Sequence, residues 1–244
     1  MSLQEEWFST WFNSPYYHIL YSHRDVQEAQ AFMDRLLVYL HPKPHDKILD
    51  LACGKGRYSL YLNQKGYDVT GIDLSEQSIA FAKAFENEHL HFEVQDMRKV
   101  YKPEHFDFIV NLFTSFGYFD NETENVVALC ATAGSLKPGG KLVIDFMNTD
   151  KTIEHLVAEE EKEVQGINFK IKRGVEKGFI VKTISFEDNG QLFRFEERVR
   201  ALREEDFLEY FKIAQLRLVE VFGDYNLTPY DREKSDRMIF VLKK

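Results

Sequence analysis

The sequence predicts an α/β fold centred on a mostly parallel sheet with helices on both faces, extended by an antiparallel β-meander. Three observations carry this expectation. Short apolar segments alternate with helical runs between about residues 45 and 148. A glycine turn follows the first of these segments, and after Asn148 the pattern changes to alternating apolar and polar residues. With 244 residues, 44 % of them hydrophobic, the chain has enough apolar material for a substantial core.

Along residues 26–40, Phe32, Leu36, Leu37 and Leu40 recur at helical spacing, and His41-Pro42-Lys43-Pro44 ends the helix because proline blocks its continuation. Residues 47–52 read as a buried strand, followed by Gly54 and Gly56 and a helical run through Tyr58, Leu60, Tyr61 and Leu62. The unit repeats as a strand at 68–74, a helix at 75–86 capped by Ser75, and strands at 89–95 and 106–112. A helix at 121–133, a proline-glycine turn at 136–140 (LKPGG) and a strand at 141–146 complete the parallel portion. Beyond it, NFKIKRG, GFIVKTISFED and QLFRFEERVRAL predict about three antiparallel strands, with Asp188-Asn189-Gly190 as a hairpin turn. An amphipathic helix at 204–215 and strands near 216–222 and 237–242 close the chain.

Composition narrows the function classes. A net charge of −9 disfavours a broad nucleic-acid footprint, which needs clustered Lys and Arg. Residues 164–203 are a local exception with nine basic and five acidic side chains, read first as solvated strand faces. No run of about 18 apolar residues supports a membrane span, and the start MSLQEEWFSTWF lacks the pattern of a signal peptide, so a cytoplasmic location is expected. Cys53 and Cys130 are expected to be reduced, and no ligand spacing predicts a metal site.

The chemistry is expected at a row of strand ends. Gly54 and Gly56 allow a ligand to approach the backbone closely. A dinucleotide fingerprint would place a third glycine where Ser59 stands, and Asp50 would repel a pyrophosphate while suiting a ligand with cationic groups. Asp73, 19 residues beyond Gly54, is placed to accept hydrogen bonds from ribose hydroxyls. Asp96 follows the third strand, where a carboxylate can accept from an adenine amino group while Met97 packs on the ring. Asp50, Asp73 and Asp96 therefore converge outside the carboxyl ends of one sheet.

ILDLACGKGRYSLYL, VTGIDLS, VQDM, FDFIVNLFTSFGYF and LKPGGKLVIDF, spanning residues 45–148, resemble the successive motifs of class I S-adenosylmethionine-dependent methyltransferases. The resemblance implies a Rossmann-like sheet of seven strands, the seventh inserted antiparallel by a closing hairpin. It implies S-adenosyl-L-methionine as cofactor and S-adenosyl-L-homocysteine as product. Asp50, Ala52, Gly54 and Gly56 would border the methionine moiety, with Cys53 where the family often has a small residue. Asp73 and Leu74 would hold the ribose and flank the adenine, Asp96 and Met97 would lie at the base, and Asn111, Leu112 and Phe113 would follow the fourth strand at the start of the substrate pocket. Tyr17 and Tyr21 match a tyrosine-rich stretch that closes over the cofactor in many small-molecule members; His18 stands where an aspartate is frequent. Arg24 is a candidate for the cofactor carboxylate.

His18 and Tyr118 are the general-base candidates, with Tyr17 next, should the acceptor have to lose a proton. The expected organisation is an aromatic, helical amino-terminal cap (1–44), a cofactor-binding core (45–150 and 204–244) and the β insertion (151–203), which serves as a substrate lid or a homodimer surface. Absence of an NPPY motif after the fourth strand, together with the acidic balance, favours a small-molecule acceptor without a nucleic-acid or membrane partner. An NAD(P)-dependent oxidoreductase and a non-catalytic cofactor-binding protein remain the alternatives. A cavity lined by Tyr17, Phe113, Phe116 and Tyr118 is expected to be open in an enzyme and filled in the latter.

Overall fold

The computed structural model describes residues 7–22 and 26–244. In chain order the elements are α1 (Trp7–Phe12), α2 (Pro15–Leu20), α3 (Val26–Leu40), β1 (Lys47–Leu51), α4 (Arg57–Gln64), β2 (Asp68–Asp73), α5 (Glu76–Ala82), β3 (Leu90–Val94), β4 (Phe106–Asn111), α6 (Glu122–Ser135), β5 (Leu136–Met147), α7 (Thr149–Glu154), β6 (Glu159–Val164), β7 (Ile167–Glu176), β8 (Phe179–Asp188), β9 (Gln191–Arg200), α8 (Glu204–Ile213), β10 (Arg217–Phe222) and β11 (Arg237–Lys243).

Seven strands form the central sheet in the order β10-β11-β5-β4-β1-β2-β3. β11 runs antiparallel to both β5 and β10, and the remaining neighbours are parallel. This is the mostly parallel sheet with one inverted strand that the motifs imply. The two-residue period of a strand distributes its side chains between two cores. Along β11, Met238, Phe240 and Leu242 join one cluster with Phe207 and Phe211 of α8 and Leu129 of α6. Ile239 and Val241 join the other, with Phe32 and Leu36 of α3, Leu62 of α4 and Ile79 of α5. Burial on both faces explains why these strands read as continuous apolar runs.

A second, antiparallel sheet has the order β6-β7-β8-β9. Asn189 and Gly190, at φ of 51° and 77°, turn β8 into β9 as the hairpin signal predicts. One face of this sheet carries Phe169, Ile171, Ile184 and Phe186, which pack with Trp11 of α1 and Leu20 of α2 in a third core cluster. The amino-terminal aromatics thus cover the insertion, while α3 belongs to the central sheet.

Two elements differ from the sequence reading. The meander has four strands, because Glu159–Val164 (EEEKEV) pairs with β7 although it carries no apolar alternation. Its carboxylates find cations across the pair, Glu159 with Lys172 at 2.9 Å and Glu160 with Arg173 at 2.6 Å, so charge complementarity on the partner strand replaces the apolar signal. Second, the LKPGG segment belongs to β5: Leu136 pairs with Phe106 ahead of a register shift, and the main run resumes at Lys141 opposite Phe108.

The glycine turn shows how the core sets local geometry. Gly56, at φ 74°, is the N-cap of α4, and a Cβ there would lie 2.4 Å from the Phe92 ring of β3. Gly56→Ala is therefore expected to destabilise the protein by roughly 2–4 kcal/mol, from left-handed backbone plus overpacking. Urea unfolding checks this, and adding Phe92→Leu is expected to recover part of the loss.

Candidate functional site

β1 ends in a turn whose backbone leaves the ordinary regions at two successive alternate residues, Ala52 (φ 63°) and Gly54 (φ 56°). The Cys53 N–H donates to the Ile72 carbonyl (3.0 Å), carrying the β1–β2 pairing one residue further, and the Gly56 N–H donates to the Cys53 carbonyl (3.0 Å). Asp73, the last residue of β2, clamps this turn: one carboxylate oxygen accepts from the Gly54 N–H and the other from the Ser75 N–H, both at 2.8 Å. The Ser75 hydroxyl accepts in turn from the Ser78 N–H, capping α5. No heavy atom lies within 4 Å of where a Gly54 Cβ would stand, whereas Gly56 is closed off by Phe92. The two glycines therefore differ in role: Gly54 presents bare backbone to open space and Gly56 permits close packing.

That open space is a cavity of about 460 Å³ above the carboxyl ends of β1, β2 and β4, and of the residues following β3. Asp50, Ala52, Cys53, Gly54, Asp73, Leu74, Asp96 and Met97 line it, as do Leu112 and Phe113. From the amino-terminal cap, Tyr17, His18 and Tyr21 line it as well. Gly56 and Asn111 do not reach the wall. Asn111 supports it instead, donating from Nδ2 to the Leu51 carbonyl (2.9 Å) at the end of β1. Arg24 lies outside the described residues. Tyr17, Phe113, Phe116 and Tyr118 share the wall of the same open cavity.

Electrostatics along the strand ends are uneven. Asp50 is buried and accepts from the Ser59 hydroxyl at 2.6 Å. Burial raises its pKa to about 6, with the Ser59 bond opposing and the nearby Asp73 adding to the rise. Asp73 is raised by burial against three backbone N–H donors. Burial disfavours the Asp96 carboxylate too, but Arg98 outweighs it and lowers the pKa; Arg98 Nη2 lies 2.7 Å from Asp96 and Nη1 2.7 Å from Glu124. Two carboxylates without a cation of this kind thus face the cavity at the first two strand ends. Ser59, where a dinucleotide site would carry glycine, is fully buried and serves Asp50.

After β4 the chain makes a strained turn with Phe113 and Thr114 both left-handed, at φ 59° and 60°. A buried ion pair holds it. Asp145 of β5 accepts from the Phe113 N–H (2.7 Å) and from Arg237 Nε of β11 (2.8 Å), while Arg237 Nη2 donates to the Thr114 hydroxyl (2.9 Å). Tyr225 adds a hydroxyl donor to Asp145 at 3.3 Å. The Phe113 ring is thereby set against Tyr58, stacked at 4.6 Å.

The cap side carries the base candidates. Burial lowers the His18 pKa to about 4, with Lys55 contributing, so its imidazole is neutral at physiological pH. The Tyr118 hydroxyl donates to the Thr114 carbonyl at 2.5 Å, and its ring meets Trp7 edge-on. Sequence reasoning missed Trp7, Phe8 and Phe12 of α1 and Glu197 and Val199 of β9, all on the cavity wall. An aromatic run is a visible signal for the first group. Nothing local to β9 marks Glu197, which reaches the cavity only through the packing of the second sheet on α1 and α2.

Comparison with known proteins agrees with this geometry. The family described as Methyltransferase domain matches residues 48–140. YqeM of Bacillus subtilis (strain 168), a named but unproven methyltransferase, is 30 % identical over 208 residues, covering 81 % of this chain and 84 % of the relative. Among solved structures, an S-adenosylmethionine-dependent methyltransferase from Clostridium acetobutylicum ATCC 824 superposes with a TM-score of 0.78 at 22 % identity, covering 93 % of this chain and 95 % of that one. CalS10 of Micromonospora echinaspora, an amino pentose methyltransferase bound to S-adenosylmethionine, gives 0.69 at 18 % identity, covering 94 % and 97 %. The chain belongs to the class I S-adenosylmethionine-dependent methyltransferases. S-Adenosyl-L-methionine is accordingly its cofactor, and neither a nicotinamide-dependent nor a binding-only reading is supported.

Two measurements test the site's electrostatics. The folded Asp50 pKa lies above its unfolded value, so its contribution to stability is full below about pH 4 and is lost as pH rises through about 6. Asp50→Asn is expected to gain stability relative to the parent, the gain growing between these limits and reaching up to about 3 kcal/mol above pH 6 in urea unfolding. Arg237→Ala leaves Asp145 buried without its cation and is expected to cost roughly 3–5 kcal/mol by the same measurement.

Proposed function

We propose that this chain transfers the methyl group of S-adenosyl-L-methionine to a small-molecule acceptor held beneath the amino-terminal aromatic cap. The single observation that carries this reading is the cavity itself. Its volume of about 460 Å³ and its mixture of aromatic walls with a few converging carboxylates fit a small-molecule site. The net charge of −9 argues against a nucleic-acid acceptor, and the amino pentose methyltransferase with the same fold is a precedent for a small acceptor.

The residues present fit the cofactor. Gly54 offers unobstructed backbone, and Asp50, buried, and Asp73, half-buried, are carboxylates whose ionised forms gain from a cationic ligand. In this assignment Asp50, Ala52, Cys53 and Gly54 hold the methionine end, Asp73 and Leu74 the ribose, and Met97 with Asp96 the base. Leu112 and Phe113 separate the cofactor from the acceptor, with Tyr17 and Tyr21 covering both. The cofactor supplies a methyl group on a sulfonium, open to in-line displacement.

The protein's task is then to orient the nucleophile on the displacement axis and to exclude water. Orientation of this kind is worth roughly 7–11 kcal/mol in favourable cases. The strained Phe113–Thr114 turn and the α1–α2 cap are the rigid and covering parts that provide it. His18, neutral in this environment, is the group we assign to accept a proton where an acceptor must lose one; Tyr118 positions the acceptor ring-side, its own proton directed at Thr114. The β insertion serves as the lid over the acceptor, since its apolar face is covered by the cap and its β6 edge carries Glu159, Glu160, Glu161 and Glu163, which repel an identical edge. The free thiols of Cys53 and Cys130 suit the cytoplasm.

Calorimetry is expected to give micromolar binding of S-adenosyl-L-methionine and S-adenosyl-L-homocysteine, weakened at least about tenfold in Asp73→Ala through loss of hydrogen bonds to a charged acceptor. A folded protein that binds neither compound would overturn the assignment. Turnover of metabolite extracts with methyl-labelled cofactor then identifies the acceptor.

A further inference from the structure

We propose that Glu197 of β9, flanked by the rings of Tyr17 and Tyr21, forms the subsite that recognises the acceptor through an ammonium group. The proposal rests on the methyltransferase reading above and deepens it by naming the acceptor's chemical class.

The carboxylates at the strand ends, Asp50, Asp73 and Asp96, belong to the central sheet. Glu197 also lines the cavity, but it comes from the second sheet and stands with the cap. Its side chain is 17 % exposed, so its charge must be compensated by fixed partners. Oε1 accepts from Trp11 Nε1 at 2.7 Å and from the Tyr21 hydroxyl at 2.6 Å, which fixes the carboxylate's orientation. Oε2 has Lys182 Nζ at 3.5 Å, longer than the 2.7–2.9 Å of a tight ammonium–carboxylate bond. Oε2 therefore keeps capacity for a closer cation.

Lys182 reveals the chemistry of this corner. It is the cross-strand neighbour of Glu197, and its ammonium donates to the Tyr21 hydroxyl and lies 4.6 Å from the centre of that ring. A carboxylate beside a tyrosine thus already accommodates one ammonium on the sheet side, through ion pairing and a hydrogen bond to the tyrosine hydroxyl. Lys182 does not reach the cavity wall, whereas Glu197, Tyr17 and Tyr21 do. Tyr17 and Tyr21 stand 5.0 Å apart between ring centres and share the cavity wall with Glu197, so an anion and two aromatic rings border the same space. An acceptor carboxylate would meet repulsion at Glu197, and a neutral hydroxyl would gain only a hydrogen bond.

The test loads the protein with S-adenosyl-L-homocysteine and measures binding of benzylamine and of its neutral counterpart benzyl alcohol by calorimetry. Benzylamine is expected to bind at least about tenfold more tightly, as a buried ion pair with cation–π support predicts. Glu197→Gln is expected to remove that preference while leaving the homocysteine product's affinity within about twofold. Tyr16→Phe, which breaks a separate cap-to-sheet bond to Asp188 (2.8 Å) away from the cavity, is the structural control and is expected to retain the preference. Equal binding of the two probes, undetectable benzylamine binding, a preference surviving in Glu197→Gln, or one lost equally in Tyr16→Phe would overturn the subsite. Failure to bind S-adenosyl-L-homocysteine at all would overturn the underlying methyltransferase reading as well.

Discussion

The buried ion pair between Asp145 and Arg237 is the interaction on which the site's shape depends. Two charges removed from water are stable only where geometry and further hydrogen bonds satisfy them, and here the satisfaction comes from three parts of the chain. β5 supplies the carboxylate, β11 the guanidinium, and the turn after β4 the Phe113 N–H and Thr114 hydroxyl. The inverted last strand is therefore more than a sheet edge. Its antiparallel course brings Arg237 opposite Met147, one turn of pleat from Asp145, and the pair in turn holds two consecutive left-handed residues that would otherwise relax. Phe113 then stands against Tyr58 as a fixed part of the cavity wall.

The strand ends on the other side are fixed by a different device. Asp73 spends both oxygens on backbone N–H groups of the neighbouring turn and of its own helix entry, so β1 and β2 are locked at the point where a ligand would lie. Ser59 performs the equivalent service for Asp50. Because these carboxylates are already anchored, burial rather than mobility sets their proton affinity, and a cationic ligand finds them in place. Little reorganisation is then required on binding, which is where preorganised sites gain most of their advantage.

Much of this was legible in the sequence where the information is local. The alternation of apolar runs with amphipathic helices predicts the parallel sheet, and Ser59 in place of a third glycine, Asp50 before the turn and the two later acidic strand ends together distinguish the cofactor from a dinucleotide. Ser75 caps α5 as its position predicts. What escaped is non-local. EEEKEV has no intrinsic strand pattern and becomes β6 by pairing with β7 across the Gln165–Gly166 turn, where Lys172 and Arg173 meet its carboxylates. LKPGG reads as a turn, yet pairing with β4 draws it into β5. Gly54 and Gly56 look alike in the motif, and only Phe92, some 36 residues on, distinguishes them.

The same division separates donor from acceptor. The half we assign to the donor is assembled from residues adjacent to the glycine turn and to successive strand ends, positions that any chain with this fold must bring together. The half we assign to the acceptor is assembled from α1, α2 and β9, which meet through the Trp11–Phe195 ring contact and the bonds from Trp11 and Tyr21 to Glu197, backed by the apolar cluster of Leu20, Phe169 and Phe186. No feature of the parallel sheet dictates those contacts. The family match at residues 48–140 covers the strand ends and the glycine turn and stops short of the insertion and the cap, so it identifies the methyl donor and leaves the acceptor open.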